Sequence, residues 1–156
     1  MELANLAVVL KQNELLVADL YRECARLFPD YSQKFEELAQ EEEGHAAIID
    51  SVIDDIVENP QNWRPGKVSL QTLRIIQQQL KDQLTEVKSG ACSSRYALTF
   101  LRSFEQGMTE RSVEKVLETD EPRCQNLMSV FSEGFSMHNS CLQELEKKIF
   151  KTTDIF

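Results

Sequence analysis

The chain has 156 residues, of which 26 are Asp or Glu and 17 are Lys or Arg, so its net charge at pH 7 is −9. This length predicts a single domain over residues 1–156, and so acidic a chain is not expected to bind nucleic acid or an anionic membrane through a broad basic face. Hydrophobic residues make up 42% of the sequence, and only 5 Gly and 4 Pro interrupt it, which favours a few long helices over a sheet-rich fold.

Four cysteines are spread along the chain, at Cys24, Cys92, Cys124 and Cys141. They form no C-x-x-C pair, so neither a thiolate zinc site nor a rubredoxin-type iron site is expected. Because long helices do not need disulfides, a cytoplasmic location is predicted. The sequence has no apolar stretch of about 18 residues and no cleavage pattern near its start, so it predicts neither a membrane span nor a signal peptide.

Prolines and glycines divide the sequence into five predicted helices. In chain order these are helix A over about 3–28, helix B from a cap at Asp30 to about 58, a connecting helix through Leu73 and Val87, helix C over about 94–118 and helix D over about 122–150. The segment Asn59–Lys67 contains two Pro, one Gly and the only Trp, and it is predicted to be a loop.

Helices A and B are separated by a short turn at Pro29, and helices C and D by a short turn at Pro122. Short turns make such neighbours antiparallel hairpins. A connection of about 35 residues with its own helix joins the two hairpins. Because each long helix has one apolar stripe to bury, the pattern predicts an all-α four-helix bundle.

The apolar stripe of each long helix repeats about every seven residues, and a polar residue interrupts it near the middle. The interruptions are Glu14 on helix A, Glu42 and His45 on helix B, Glu105 on helix C and His138 on helix D. They lie 13 to 17 residues from Pro29 or Pro122. At a rise of about 1.5 Å per residue, all five fall within about one helical turn of a common level.

Three carboxylates and two imidazoles in one buried layer indicate a metal site, because a buried carboxylate without a partner is costly. The alternative is a buried His–Glu network that fixes the register of the helices. Glu42 and His45 share a helix face because they are three residues apart. Glu-x-x-His alone is not specific, and most of the five Glu between Glu36 and Glu43 are predicted to lie on a solvated face.

Three segments carry a resemblance to a known family: "NELLVADLY" in helix A, "LAQEEEGHAAI" in helix B and "SFEQGMTE" in helix C. With them, nearly the whole chain resembles the rubrerythrin-like branch of the ferritin-like superfamily. The resemblance implies a ferritin-like bundle with a di-metal carboxylate site. It implies Glu14 as a terminal ligand, Glu42 as a bridging ligand, His45 as a terminal ligand, Glu105 as the helix C carboxylate and His138 as the helix D histidine.

The resemblance also implies a candidate catalytic residue in Tyr21, seven residues after Glu14, since the family often keeps a tyrosine near its metals. One expected ligand is missing: three residues before His138 the family has Glu, and this chain has Phe135. Glu133 does not replace it, because five residues from His138 it points about 140° away around the helix. We therefore predict one well-held divalent ion, or a pair whose second member is weaker.

Iron is the cofactor that the resemblance implies, as one or two ions, and zinc or manganese is also compatible with the ligands. The implied activity is that of an oxidoreductase acting on peroxide or dioxygen. The implied partners are a separate electron-transfer protein, since the chain has no Cys pairs for a rubredoxin domain, and a second copy in a homodimer. The alternative function is a non-catalytic helical bundle whose site has decayed and which serves as a protein-interaction or structural module.

Three of the five glycines, Gly44, Gly107 and Gly134, lie inside predicted helices next to the polar layer. A glycine there costs about 1 kcal/mol relative to Ala. Their placement predicts close approach of the helices, or helix bulges, at the layer.

Overall fold

The computed structural model describes residues 2–110 and 115–151, and in these ranges the chain is mostly helical with a small amount of strand. The elements are α1 (Glu2–Leu27), α2 (Ser32–Glu58), β1 (Trp63–Pro65), α3 (Leu70–Ser89), α4 (Ser94–Glu110), β2 (Leu117–Thr119) and α5 (Pro122–Lys151). Short 3₁₀ turns at Pro29–Tyr31 and Pro60–Asn62 end the two first helices at their prolines. The all-α prediction is therefore confirmed.

Two helix pairs are antiparallel. In the first pair, Lys11 of α1 lies 2.7 Å from Asp50 of α2, whereas Arg22, further along α1, lies 3.5 Å from Glu36, which comes earlier in α2. In the second, the Arg95 guanidinium at the start of α4 lies 4.5 Å from the ring centroid of Phe150 at the end of α5. These are the two predicted hairpins.

The connecting helix α3 packs along α1. Its first turn is capped by the Ser69 hydroxyl, which accepts a hydrogen bond from the Thr72 N–H, and its end is closed by Gly90 in the left-handed conformation at φ 74°. The Asn13 amide donates to the Leu73 carbonyl at 3.2 Å and so joins the two helices. The connection thus covers one face of the first hairpin.

The apolar core has two parts, one on each side of the predicted polar layer. One cluster joins Leu6 and Leu10 of α1 to Ile49 and Val52 of α2 and to Phe131 of α5. The other joins the following turns of α1 to the first turns of α2, the middle of α4 and the second half of α5. The polar layer therefore lies between two dry clusters that fix the positions of its helices.

A small antiparallel ribbon corrects two predictions, because β1 pairs with β2 with Trp63 opposite Thr119 and Pro65 opposite Leu117. The segment predicted as a loop contains β1, and residues 117–119, at the predicted end of helix C, form β2 instead. The predicted end of helix C was wrong because residues 117–119 extend to pair with the connection. Ser112 lies outside the described residues.

The close approach of these segments depends on Gly66. An ideal Cβ there would lie 2.2 Å from the Lys115 carbonyl oxygen, and the Gly66 N–H donates to the Val116 carbonyl at 2.9 Å. The ribbon is tied to α2 by the Trp63 indole, which donates to Asp55 at 2.7 Å. In the two described ranges, no helix has the length and apolar character needed to cross a membrane.

Candidate metal centre

The five polar residues predicted on the stripes lie together in one buried layer between the four long helices. Their exposed fractions are 3% for Glu14, 0% for Glu42, 7% for His45, 0% for Glu105 and 1% for His138. α1 and α4 each contribute one carboxylate, α2 contributes a carboxylate and an imidazole, and α5 contributes an imidazole. The five residues are thus buried and close together, as their matched distances from Pro29 and Pro122 predicted.

The layer consists of two groups of three residues that share Glu42. One is Glu14, Glu42 and His45, and the other is Glu42, Glu105 and His138; in each, the candidate ligand atoms lie within 4.8 Å of one another. Such groups can hold a metal ion.

Both histidines face the carboxylates through Nδ1. In the first group, His45 Nδ1 lies 3.3 Å from Glu42 Oε2 and 3.6 Å from Glu14 Oε2. In the second, His138 Nδ1 lies 2.7 Å from Glu42 Oε1 and 3.5 Å from Glu105 Oε1. Each imidazole therefore presents one nitrogen to a pair of carboxylates, which are hard oxygen donors, and this mixture suits iron, zinc or manganese.

Within the part of the chain that the structure describes, Glu14 Oε2 and Glu42 Oε1 are fully buried carboxylate oxygens of the layer that make no hydrogen bond. Glu42 Oε1 lies 2.7 Å from His138 Nδ1, close enough to form an ion pair when that ring is protonated. A buried acceptor without a partner costs about 1–3 kcal/mol, more when it is charged. A cation between the carboxylates would satisfy both oxygens, so the donor set fits a divalent ion.

Without an ion, protons balance part of the buried charge. Burial raises the pKa of Glu14 well above its usual value, and the Glu42 carboxylate beside it raises it further. Burial acts to lower the pKa of His45, but Glu14 and Glu42 outweigh it and raise that pKa to about 9. For His138, Glu105 and Glu42 overcome burial in the same way and raise the pKa to about 11. A bound cation would take over the role of these protons.

Tyr21, the predicted catalytic residue, is completely buried beside the second group. Its hydroxyl donates to Glu105 Oε1 at 2.5 Å, and its ring lies edge-on to His138 with the ring centroids 6.0 Å apart. Burial, followed by the Glu105 and Glu42 carboxylates, raises the pKa of Tyr21 well above its usual value. Tyr21 is therefore a neutral phenol that keeps its proton and donates it in a hydrogen bond to Glu105.

Glu41 is a functional candidate that the sequence analysis did not identify, because it belongs to the acidic run predicted to face solvent. Its side chain is half-exposed, yet its Oε2 lies 2.5 Å from His138 Nε2, on the opposite side of the ring from the carboxylate pair. The one feature of the sequence that could have pointed to Glu41 is its position directly before Glu42. Whether an exposed carboxylate at that position reaches another helix depends on how closely α5 packs against α2.

The glycine hypothesis is confirmed at one position and wrong at two. An ideal Cβ at Gly134 would lie 2.6 Å from both Cε1 and Nε2 of His45, so α5 approaches the layer closely there. At Gly44 and Gly107 nothing among the described residues lies within 4 Å of such a Cβ. Packing against the described residues therefore requires a glycine at neither position.

Two residues of α5, Glu133 and Phe135, bear on the additional carboxylate that the resemblance implies near His138. The Phe135 side chain lies outside what the structure describes, and Glu133 is exposed on α5. Glu133 is therefore not part of the layer, as the helix geometry predicted.

Comparison of the chain with family models, with curated proteins and with solved structures gives no match.

Proposed function

We propose that the protein is a ferritin-like, rubrerythrin-type metal protein that holds one or two divalent ions, with iron as the principal candidate, and acts as an oxidoreductase on peroxide or dioxygen. The observation that carries this proposal is the pair of buried groups that share Glu42, together with the fully buried oxygens of Glu14 and Glu42 that make no hydrogen bond. A structural His–Glu network would be expected to pair those oxygens.

The packing of the helices supports a ferritin-like arrangement. Besides the two antiparallel hairpins, α2 lies antiparallel to α5, because Glu42 contacts His138 and Asp55 contacts Arg123. The long connection through α3 then joins two helices, α2 and α4, that point the same way. One long crossover between two hairpins is the connectivity of ferritin-like bundles.

In this proposal Glu14, Glu42 and His45 hold the first ion, and Glu42, Glu105 and His138 hold the second. Bound iron would supply one-electron redox chemistry. The protein's own residues exclude bulk water, keep the carboxylates in place and retain a phenolic proton at Tyr21 Oη next to the second group. Since none of the five proposed ligand residues is more than 7% exposed, small molecules such as peroxide and dioxygen fit better than larger substrates.

The second candidate function is a non-catalytic bundle in which an ion or the His–Glu network only stabilises the fold. The observation that favours it is Phe135, which occupies the sequence position where the rubrerythrin-like pattern has a carboxylate. The second group then has three protein ligands rather than four, and an ion held there would be bound less tightly.

Peroxide consumption by the iron-loaded protein, with an external electron donor, separates these functions. The wild type should consume peroxide, and Glu42→Ala should not, because both groups share Glu42. Glu43→Ala is the control and should remain active, because Glu43 is an exposed neighbour that pairs with Arg22 at 2.6 Å. Iron binding without turnover would favour the non-catalytic bundle. Failure of the wild type to bind iron, zinc or manganese would refute the oxidoreductase function and leave a non-catalytic bundle stabilised by its His–Glu network. The same proposal includes electron transfer from a separate protein, which is tested by comparing peroxide consumption with different electron-donor proteins. It also includes a homodimer, which is tested by measuring the molecular mass of the protein in solution.

A further inference from the structure

The contact between Glu41 and His138 links a half-exposed carboxylate to the most deeply buried imidazole of the layer. Glu41 is 52% exposed by its side chain, whereas the His138 side chain is 1% exposed. Glu41 Oε2 lies 2.5 Å from His138 Nε2, within hydrogen-bonding distance. The two residues come from different helices, α2 and α5, and therefore also fix the distance between them.

The two ring nitrogens of His138 have different partners. Nδ1 faces Glu42 and Glu105, the other members of the second group, and Nε2 faces Glu41. A neutral imidazole that binds an ion through Nδ1 must carry its proton on Nε2. Glu41 is placed to accept that proton in a hydrogen bond, which would fix both the tautomer and the plane of the ring.

We propose that Glu41 is a positioning residue that orients His138 for the second ion of the pair. The inference rests on the proposed function, since it concerns the same site. When a carboxylate accepts a hydrogen bond from the second ring N–H of a ligating histidine, its removal typically lowers metal affinity by about 10- to 100-fold. The effect should be confined to the second group, because His138 is not a member of the group formed by Glu14, Glu42 and His45.

The second group depends on this contact more than a complete site would. It lacks the carboxylate that the resemblance implies at position 135, so His138 is one of three candidate protein ligands among the described residues. Misorientation of one ligand among three removes a larger share of the coordination than misorientation of one among four. Glu41 is thus expected to decide whether the protein holds one ion or two.

The chain offers a matched control in Glu43. It lies on the same helix two residues away, its side chain is 46% exposed, and it pairs with Arg22 rather than with the layer. Glu41→Ala and Glu43→Ala remove the same charge from half-exposed positions, so neither is expected to prevent folding. Glu41→Gln keeps an oxygen acceptor on a side chain of the same length.

The experiment is a Zn(II) titration of the wild type and these three variants by chelator competition, together with nitrogen-15 spectra of the imidazole rings. The chain has only 2 His, so the ring spectrum contains two sets of signals. Wild type and Glu43→Ala should bind a second zinc ion with the same affinity, Glu41→Ala should bind it about 10- to 100-fold more weakly, and Glu41→Gln should restore most of the loss. The His138 Nε2–H signal should weaken only in Glu41→Ala, and the first ion should be unaffected in all variants.

Two results would overturn the inference. If Glu41→Ala binds both ions as the wild type does, or if zinc leaves the His138 ring signals unmoved, Glu41 does not position a ligand, while the proposed metal function stands. If the wild type binds no zinc, the proposed function and this inference fail together.

Discussion

Gly134 gives the most quantitative test of how tightly the layer is packed. It lies inside α5, where a glycine costs about 1 kcal/mol relative to Ala, so on helix propensity alone Gly134→Ala should stabilise the protein. An added Cβ, however, would lie 2.6 Å from Cε1 and Nε2 of His45, whereas ordinary van der Waals contacts begin at 3.4 Å. Either the His45 ring or the α5 backbone would have to move.

The His45 ring has little freedom to move. Its Nδ1 lies 3.3 Å from Glu42 Oε2, and its ring centroid lies 5.4 Å from that of Phe131. Overpacking of such a site costs about 1–3 kcal/mol. After subtracting the propensity gain of about 1 kcal/mol, Gly134→Ala should lower the free energy of unfolding by about 0–2 kcal/mol.

Gly44→Ala and Gly107→Ala are the matched controls, because each is a helical glycine next to the layer with open space around the added Cβ. Each should raise the free energy of unfolding by up to about 1 kcal/mol. Urea unfolding of the chelator-treated proteins measures the three values under one condition. Equal stabilisation by all three substitutions would refute the close approach of α5 to His45.

Tyr21→Phe should lower the free energy of unfolding by about 1.5–3 kcal/mol, the range for a hydrogen bond to a charged group, and an unchanged urea midpoint would mean that the phenol does not stabilise Glu105. Zinc affinity should rise between about pH 6 and pH 9, because an ion must displace protons from His45 and His138, whose pKa values are raised to about 9 and about 11. A zinc affinity that does not change with pH in chelator competition would contradict this. In the metal-free protein, those raised pKa values stabilise the fold fully below about pH 6.5, and the stabilisation is lost as the pH rises through about 9 and about 11. Asp55 accepts a hydrogen bond from the Trp63 indole N–H at 2.7 Å. Asp55→Ala should therefore shift the fluorescence of Trp63 to longer wavelength and lower the free energy of unfolding by about 1–3 kcal/mol. Unchanged emission would show that the ribbon does not depend on this hydrogen bond.

The polar layer could be predicted from the sequence because its residues break a regular apolar pattern at matched distances from two prolines. That prediction needs only helix periodicity and rise, and both hold along α1, α2 and α5. The antiparallel pairing of α1 with α2 followed from the short turn at Pro29, whereas the segment before α5 contains the strand β2. Burial of Glu14 and Glu105 then required nothing beyond the packing of one stripe per helix.

Features that depend on contacts between distant segments could not be predicted in the same way. The strands β1 and β2 have three residues each, too few to show an alternating pattern, and they lie more than 50 residues apart in the sequence. The contact of Glu41 with His138 depends on the distance between α2 and α5. The difference between the open space at Gly44 and the close packing at Gly134 likewise depends on the neighbouring helix, which the local sequence does not show.

The most direct test of the central claim is a crystal structure of the zinc-loaded protein with anomalous data at the zinc edge. We predict a peak between Glu14, Glu42 and His45, with ligand distances of about 2.0–2.2 Å, and a weaker peak at the Glu105–His138 side of Glu42. No anomalous density in the layer, with both histidine Nδ1 atoms still directed at the carboxylates, would contradict the account and leave the layer as a buried His–Glu network.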